Sequence, residues 1–376
     1  MEEWVNCTLG DLLTFQRGHD LPKSEMQSGE YPVVGSNGII GFHNEFTTNA
    51  PSVTIGRSGN VGNPFIYYGK TWSHNTTLYV KDFKGNDPVF IYYFLKTMDL
   101  SNYAGGSAVP TLNRNHIHTL PIRIPINSRG QKKIGCFLKL FDDKIAENNS
   151  INDNLTEQAR SIFQSWFIDY EPFGSSMPPD WQPATLGQIA VIKTDSWSPA
   201  KNPDVVVEYY SIPSYDEQRY PVFESASSIK SNKYLLTSDS VMISKLNPDT
   251  KRIWRPLCLS GHPVCSTEFI VYEAKKKGQR DYIYSLIDSV PFFNHLCSHT
   301  TGSTNSRQRA TPKSTLDFAL YLPPDSVIED FCQIVTPIYD LIASNIVENQ
   351  SLAKTRDNLL PRLMSGERDV SKVDDL

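Results

Sequence analysis

Residues 141–166 read FDDKIAENNSINDNLTEQARSIFQSW, and the spacing inside that stretch decides the fold. Phe141, Ile145, Asn148, Asn152, Leu155, Ala159, Ile162 and Trp166 follow one another in alternating steps of four and three. Such steps place all of them on one stripe of a helix, as in a coiled-coil seam. The stripe recurs 197 residues later as Ile338, Ile342, Asn345, Asn349, Leu352, Arg356, Leu359 and Leu363. Both asparagines are repeated, and Arg356 interrupts the apolar pattern. Upstream, Ser128 with Gln131 and Ser326 with Glu329 have the spacing of a capping box at a helix start. Each helix then runs for about 40 residues, roughly 60 Å at 1.5 Å per residue. That is too long for one small domain to cover, so the matched seams are expected to pack on each other. Buried asparagines in the seam would cost stability and fix register. Pro337 is expected to bend or restart the second helix.

Working outward, the chain is written twice. Trp4 precedes Thr8-Leu9-Gly10-Asp11-Leu12, and Trp181 precedes Thr185-Leu186-Gly187-Gln188-Ile189, an offset of 177 residues. Gly106-Ser107 opens a stretch ending at Pro125, and Gly302-Ser303 opens one ending at Pro323; there the offset from Gly106 to Gly302 is 196. The second copy therefore carries an insertion of about twenty residues, the growth from 177 to 196. A period this long is a tandem duplication and not a solenoid. Ahead of each helix lie short β-type runs punctuated by Gly, Asn and Ser: Tyr31–Val34, Ser52–Ile55, Phe65–Tyr68 and Thr77–Val80, then Val205–Tyr210, Ser240–Ser244 and Glu268–Tyr272. Val89–Met98 and Asp281–Ser289 read as short helices. The expected class is α+β, with β-rich domains at 1–127 and 181–325 and long helices at 128–168 and 326–366. A Pro- and Gly-rich linker fills 169–180, and a charged tail 367–376.

The bulk numbers set limits. A length of 376 residues suits two or three domains, and an apolar share of 39% suits ordinary cores. Six cysteines without a C-x-x-C pair, no basic-then-apolar leader and no apolar run near the ~20 residues of a membrane span point to a cytoplasmic chain with reduced thiols. The net charge of −5 argues weakly against a nucleic-acid partner, but its distribution matters more. No acid occurs from Phe46 to Lys81, from Leu100 to Phe141, or from His299 to Leu316. The last two basic stretches sit just before, or at the start of, the two long helices.

Catalytic motifs are mostly missing. Gly69-Lys70-Thr71 resembles the end of a phosphate-binding loop, but Pro64 stands where its first glycine is required. Asn63-Pro64-Phe65 lacks the second proline of the motif usual in amino-methyltransferases. His116 and His118, two apart near a strand, have no third ligand. Cys258, His262 and Cys265 lack a fourth, so no metal is expected. Gly56-Arg57-Ser58-Gly59-Asn60-Val61-Gly62 reads as a tight turn presenting Arg57 and Asn60. Polar, aromatic and basic loops on a β-rich scaffold suit binding better than catalysis.

Taken in order, these pieces resemble the specificity subunit of type I restriction-modification systems, over almost the whole chain. The two Thr-Leu-Gly openings look like that family's domain start, and the turn from Gly56 to Gly62 is similar to its R-x-G-x-x-G turn. Ser165–Phe173 looks like the exit of its central helix, and Leu359–Glu367 like the end of its second. The resemblance implies a non-catalytic reader of double-stranded DNA. Two target recognition domains would each read half of a bipartite, asymmetric target, and the helices would form an antiparallel coiled coil. Two methyltransferase subunits and the restriction-translocase subunits would be partners, carrying S-adenosylmethionine, ATP and magnesium; no cofactor is expected on this chain, and no membrane. The second copy departs from the pattern, with Ser244-Lys245-Leu246-Asn247-Pro248 in the place of the glycine-rich turn. A module whose β-rich domains bind proteins or glycans is the alternative.

Arginine to guanine and asparagine or glutamine to adenine are the usual bidentate pairs. The candidate DNA-binding residues are accordingly Arg57, Asn60, Lys70, Ser73, His74, Asn75, Asn113 and Arg114 in the first copy. In the second they are Lys245, Asn247, Arg252, Arg255, Arg307, Gln308 and Arg309. Arg252 and Arg255 flank Trp254, which equally suits a cation–π packing unit. Lys132, Lys133, Lys139 and Lys144 on the first helix are candidates for meeting the methyltransferase.

Overall fold

The structure, a computed structural model, describes residues 3–106, 110–301 and 308–368. It divides into a unit of residues 1–147 with 349–376 and a unit of residues 148–348. Both long helices, Ser128–Phe167 and Asp325–Met364, cross that division in sequence, so each unit owns a segment of each.

In the first unit a four-stranded antiparallel sheet runs in the order Thr14–Arg17, Thr77–Asp82, Ser52–Gly56, Pro64–Tyr67. A second sheet orders Gly38–His43, Tyr31–Gly35 and Trp72–Ser73, the last pair parallel. Helix Pro88–Lys96 is capped by Asp87, whose carboxylate accepts from the Phe90 amide at 2.8 Å, and it buries Phe90, Ile91, Tyr93, Phe94 and Leu95. A ribbon of Trp4–Thr8 against Pro121–Pro125 closes the unit.

The second unit repeats this plan. Its four-stranded sheet has the same order: Ala190–Lys193, Phe269–Ala274, Ser240–Ser244, Ile253–Trp254. Its second sheet keeps the parallel pair, now Val206–Tyr210 with Pro263–Cys265, and widens to five strands by adding Ser196–Trp197 and Lys233–Leu235. The extra residues are not one block. The offset between copies is 188 at Ser52 and Ser240, 192 at Thr77 and Phe269, and 198 at Pro121 and Ala319. Part of the added chain is helix Ile212–Gln218, and a helix over Val290–Ser298 stands where the first copy has a short 3-10 turn.

The Thr-Leu-Gly repeat has a physical reading. Thr8 opens a one-turn helix in which the Asp11 carboxylate accepts from the Thr8 amide at 2.9 Å and the Thr8 hydroxyl accepts from the Asp11 amide at 3.3 Å. In the second copy Gln188 accepts from the Thr185 amide at 2.6 Å. The glycine lets that turn press on the chain ahead of the closing strand. A Cβ on Gly10 would lie 3.1 Å from the His118 carbonyl oxygen, and one on Gly187 3.2 Å from Leu316.

The helix starts correct two expectations. The first helix already includes Ser128; Asn127 caps it, accepting from the Arg129 amide at 2.9 Å. Gln131 turns inward instead, accepting from the Asp87 amide at 3.0 Å and donating to Asn86 and to the Pro125 carbonyl. The second helix begins at Asp325, one residue before Ser326, and Asp325 is held by Lys276 and Gln279. Nor does Pro337 restart it: the helix is continuous from Asp325 to Met364. Pro337 and Gln333, whose carbonyl it leaves without a donor, are both exposed, so water serves that carbonyl.

Within each unit the helix segments pair antiparallel. In the second unit Asn345 donates to Asn152 at 2.9 Å and Asn148 to Glu348 at 2.8 Å. In the first, Arg356 reaches Asp142, which also accepts from the Tyr93 hydroxyl at 2.5 Å. The interruption at Arg356 is thus a half-buried polar tie. Asn148, Asn345 and Asn349 are buried, whereas Phe141, Ile145, Asn152, Leu155, Ile162, Ile338, Ile342, Leu352 and Leu359 are half-buried. Each helix also packs on a domain core. Ile134, Leu138, Leu360, Leu363 and Met364 complete the first, and Phe163, Phe167, Ile328, Phe331 and Val335 the second. Phe167 and Phe331 meet edge to face at 4.9 Å, each burial contributing about 1.5–3 kcal/mol.

Candidate nucleic-acid interface

In the first unit the turn after strand Ser52–Gly56 is fixed by backbone bonds. The Gly62 amide donates to the Gly56 carbonyl at 2.8 Å, and Gly59 and Gly62 hold φ of +83° and +81°. A Cβ on Gly56 would fall 1.7 Å from the Asn60 carbonyl oxygen, so only glycine closes this turn. Arg57 is pinned on both sides, its amide donating to the Thr76 carbonyl and its carbonyl accepting from the Leu112 amide, each at 2.8 Å. Its half-buried side chain lines a cleft of about 530 Å³ together with Arg17, Thr111, Asn113, Arg114 and His116. Among the described residues the Arg57 guanidinium makes one hydrogen bond, a long one of 3.5 Å to the Asn75 carbonyl. Burial, and then the neighbouring Arg17, pull its pKa below the usual arginine value.

The other first-copy candidates scatter. Asn60 is exposed on the turn, and Lys70 sits over the Phe46 ring at 4.1 Å. Ser73 is fully buried with its hydroxyl 2.7 Å from that of Thr48, which removes it from any surface. His74 is half-buried beside the Thr76 hydroxyl at 3.1 Å, and burial lowers its pKa. The Asn75 amide donates to Asp20. Asn113 caps helix Arg114–His118 through the Asn115 amide at 3.0 Å, and Arg114 is exposed at the cleft. His116 and His118 lie on that helix, where residues two apart do not share a face, and they part: His116 faces the cleft, while His118 accepts from the Phe15 amide of strand Thr14–Arg17 at 3.0 Å. Arg17 was missed because it stands outside the acid-free stretches, between Asp11 and Asp20.

The second unit carries a matching place. The Lys245 amide donates to the Glu268 carbonyl and its own carbonyl accepts from the Ala310 amide, both at 2.9 Å, as Arg57 does in the first copy. Ser58 bridges Thr111, and Leu246 bridges Arg309. Lys245 is therefore the counterpart of Arg57. Asn247 holds φ of +47°, and its amide donates to the Gln308 carbonyl at 2.9 Å. Arg307 lies outside the described residues. The remaining arginines are engaged. Arg309 grips Glu268 with two bonds of 3.0 Å. Arg252 grips Asp216 at 2.7 and 2.9 Å, and Arg255 takes Asp281 at 2.8 and 3.1 Å and Asp340 at 2.7 Å. Arg255 is mostly buried and acts as a strut. Trp254 packs edge-on against Tyr210 and Tyr215, and Arg255 lies 5.8 Å from the Tyr339 ring, so the expected stack of arginines about Trp254 does not form.

Among the described residues no three His, Cys, Asp or Glu side chains gather to hold a metal, and no helix is long and apolar enough to cross a membrane. On the first helix Lys139 pairs with Asp143 and Lys144 with Glu147.

A family profile described as "Type I restriction modification DNA specificity domain" matches residues 1–157. The MjaIX type I restriction enzyme specificity subunit of Methanocaldococcus jannaschii is 25% identical over 309 residues, covering 76% of this chain and 70% of that protein. The EcoprrI specificity subunit of Escherichia coli is 25% identical over 170 residues, 43% of this chain and 42% of its own length. The crystal structure of a type I restriction-modification S subunit from M. genitalium matches with a TM-score of 0.65 at 17% identity, over 96% of both chains, and shares the fold. With its duplicated β-rich domains and paired helices, the chain is similar over most of its length to the DNA specificity subunits of type I restriction-modification systems, and residues 1–157 match their specificity domain.

Proposed function

We propose that this subunit reads a bipartite, asymmetric DNA target, one half with each β-rich domain, while the paired helices set the distance between the halves. In this reading residues 1–127 and 181–325 are the recognition domains, and 128–168 and 326–366 the spacer helices. The observation that carries it is the matching placement of Arg57 and Lys245, each pinned by the same two backbone bonds at the end of the corresponding inner strand of its domain's sheet. Arg57, Asn60, Lys70, His74, Asn75, Asn113 and Arg114 supply contacts in the first domain. Lys245, Asn247, Gln308 and Arg309, with Arg307, supply them in the second. Two methyltransferase subunits dock on the helices and bring S-adenosylmethionine; restriction subunits bring ATP and magnesium. The complex works on chromosomal DNA in the cytoplasm.

The test is base-resolution mapping of methylated adenine in a host carrying this chain with its methyltransferase, against a host lacking this chain alone. Loss of methylation at a two-part motif with a fixed gap is the expected result. Inserting one heptad in both helices adds roughly 10 Å, about 3 bp at the 3.4 Å rise of B-DNA. It should lengthen the gap and leave both half-sequences unchanged. Methylation at the original spacing by the lengthened chain would exclude the helices as the ruler.

A further inference from the structure

The cationic groups of the two domains are partnered differently. In the second, Arg252, Arg255 and Arg309 each hold a carboxylate with two hydrogen bonds. In the first, Arg17, Arg57 and Arg114 line one cleft. Asp20 is the carboxylate at hand; it lies 3.7 Å from Arg17 and also accepts from the Asn75 amide. Arg57 has the long bond to the Asn75 carbonyl, and no described residue partners Arg114. Three guanidiniums thus face one carboxylate. Arg57 is half-buried, and Arg17 beside it disfavours its charge. A cation removed from water needs a compensating anion or carries an uncompensated cost. The cleft continues into a shallow surface of Arg17, Gly18, His19, Asp20 and Arg114, open enough for an extended polyanion to lie along it.

We propose that Arg17, Arg57 and Arg114 form a socket for one backbone phosphate of the DNA, so that these arginines position the duplex and do not read its bases. The inference rests on the DNA-binding reading above and deepens it. A guanidinium matches a phosphate by bidentate geometry, and several converging on one site recognise charge and shape independent of sequence. The carboxylate-bound arginines of the second domain offer no such site among the described residues.

The experiment uses the full chain in complex with its methyltransferase and two duplexes, one with the mapped target and one scrambled. Affinity is measured against salt for the wild type, Arg57→Gln, Arg114→Gln, Arg57→Lys and Lys193→Gln. Removing one phosphate contact should lower the slope of log affinity against log salt by about 0.9 and weaken binding about tenfold at 0.1 M salt. The expected result is a loss of up to that size in Arg57→Gln and Arg114→Gln, since two arginines still hold the phosphate in each, by the same factor on both duplexes and with the methylated motif unchanged. Arg57→Lys, which keeps the charge, retains most of the slope and checks that the turn still folds. Lys193→Gln, which removes a cation already paired with Asp195 at 3.1 Å and outside the named contacts, leaves the slope as in the wild type. A changed base preference in the first half-site with an unaltered slope would overturn the socket in favour of base reading. Variants that bind like the wild type would overturn it outright. A wild-type complex that holds neither duplex would bring down the DNA-binding reading itself, and the socket with it.

Discussion

At the place where the first domain sets Ile66 on strand Pro64–Tyr67 and Val89 on the helix beside it, both packed on the core, the second carries Arg255 and Asp281. The correspondence follows from the sheet order and from the helix starts at Pro88 and Arg280. One fold thus accommodates two core-packed apolar residues in one copy and a buried ion pair in the other. The pair is well dressed: Asp281 also accepts from Arg280 and from the Thr336 hydroxyl, and Arg255 reaches Asp340 on the second long helix. The turn differs in the same spirit. Gly56 is forced by the Asn60 carbonyl folded over it, whereas its counterpart Ser244 carries a side chain whose hydroxyl donates to the Leu246 carbonyl at 2.9 Å. Duplicate copies keep the backbone plan and are free in how they fill it.

Breaking the ion pair gives the largest effect. Arg255→Ala leaves the buried Asp281 with Arg280 as its remaining cation, and should destabilise the second domain by about 3 kcal/mol, the lower end for breaking a buried pair. The double change Arg255→Ile with Asp281→Val copies the first domain and should recover most of that loss, since an apolar pair of similar volume is often no worse than an ion pair. Hydrogen exchange in helix Arg280–Asp288 reads both, with helix Pro88–Lys96 as the internal control. A double variant as weak as the single one would mean that the strut to Asp340 matters more than the pair. The pH dependence has a definite sign. Burial pushes the Asp281 carboxyl up, but hydrogen bonds and charge from Arg255 and Arg280 outweigh it and hold it below the usual carboxylate value. Its contribution is therefore fully present above the unfolded pKa, about 3.9, and is lost as pH falls through the lower folded pKa. The double variant should lose that acid sensitivity.

Next in size is the turn. Gly56→Ser should cost about 1–3 kcal/mol, because the new Cβ meets backbone and not a flexible side chain. Ser244→Gly should cost less than about 1 kcal/mol. Thermal unfolding of the two variants compares them directly, and equal losses would mean that the turns are more alike than their backbone bonds indicate.

Much of this was legible in the sequence, for physical reasons. The alternation of four and three along Phe141–Trp166 and its recurrence 197 residues later can be satisfied only by a helix stripe, so the long helices were within reach. The strands Ser52–Gly56 and Thr77–Asp82 were legible because short β-branched runs between turn residues have few other uses. The helix starts were misplaced by a residue because Asn127 and Ser128 are both good caps and only tertiary contacts choose between them. Which cations stand free was not legible. Arg252, Arg255 and Arg309 read like Arg57 and Arg114, and their carboxylate partners lie 26 to 41 residues away, beyond any local pattern. Ser73 looked like a loop residue because the parallel pairing of Trp72–Ser73 with Val33 and Val34 is a long-range fact.

The smallest contrast lies in the one-turn helix that opens each copy. Thr8→Ala removes a hydroxyl that accepts from the Asp11 amide and should cost about 1 kcal/mol, the usual cap value. Gln188→Ala removes the 2.6 Å bond to the Thr185 amide and should cost about as much as one neutral hydrogen bond, about 0.5–1.5 kcal/mol. The two caps then part on acidification. The Asp11 carboxyl is held below its ordinary value by its bonds to the Thr8 hydroxyl and amide, so that cap works above the ordinary aspartate pKa and fails as pH drops through the lowered one. Gln188 does not titrate. Exchange of the Leu9 and Leu186 amides, which donate to the Leu120 and Phe318 carbonyls, should therefore diverge as pH falls below the ordinary aspartate value of about 3.9, the first opening while the second holds. Asp11→Asn should bring the two back together. If Leu9 and Leu186 track each other in the wild type across that range, the capping box contributes nothing to holding the repeat in place, and the close approach at Gly10 and Gly187 suffices.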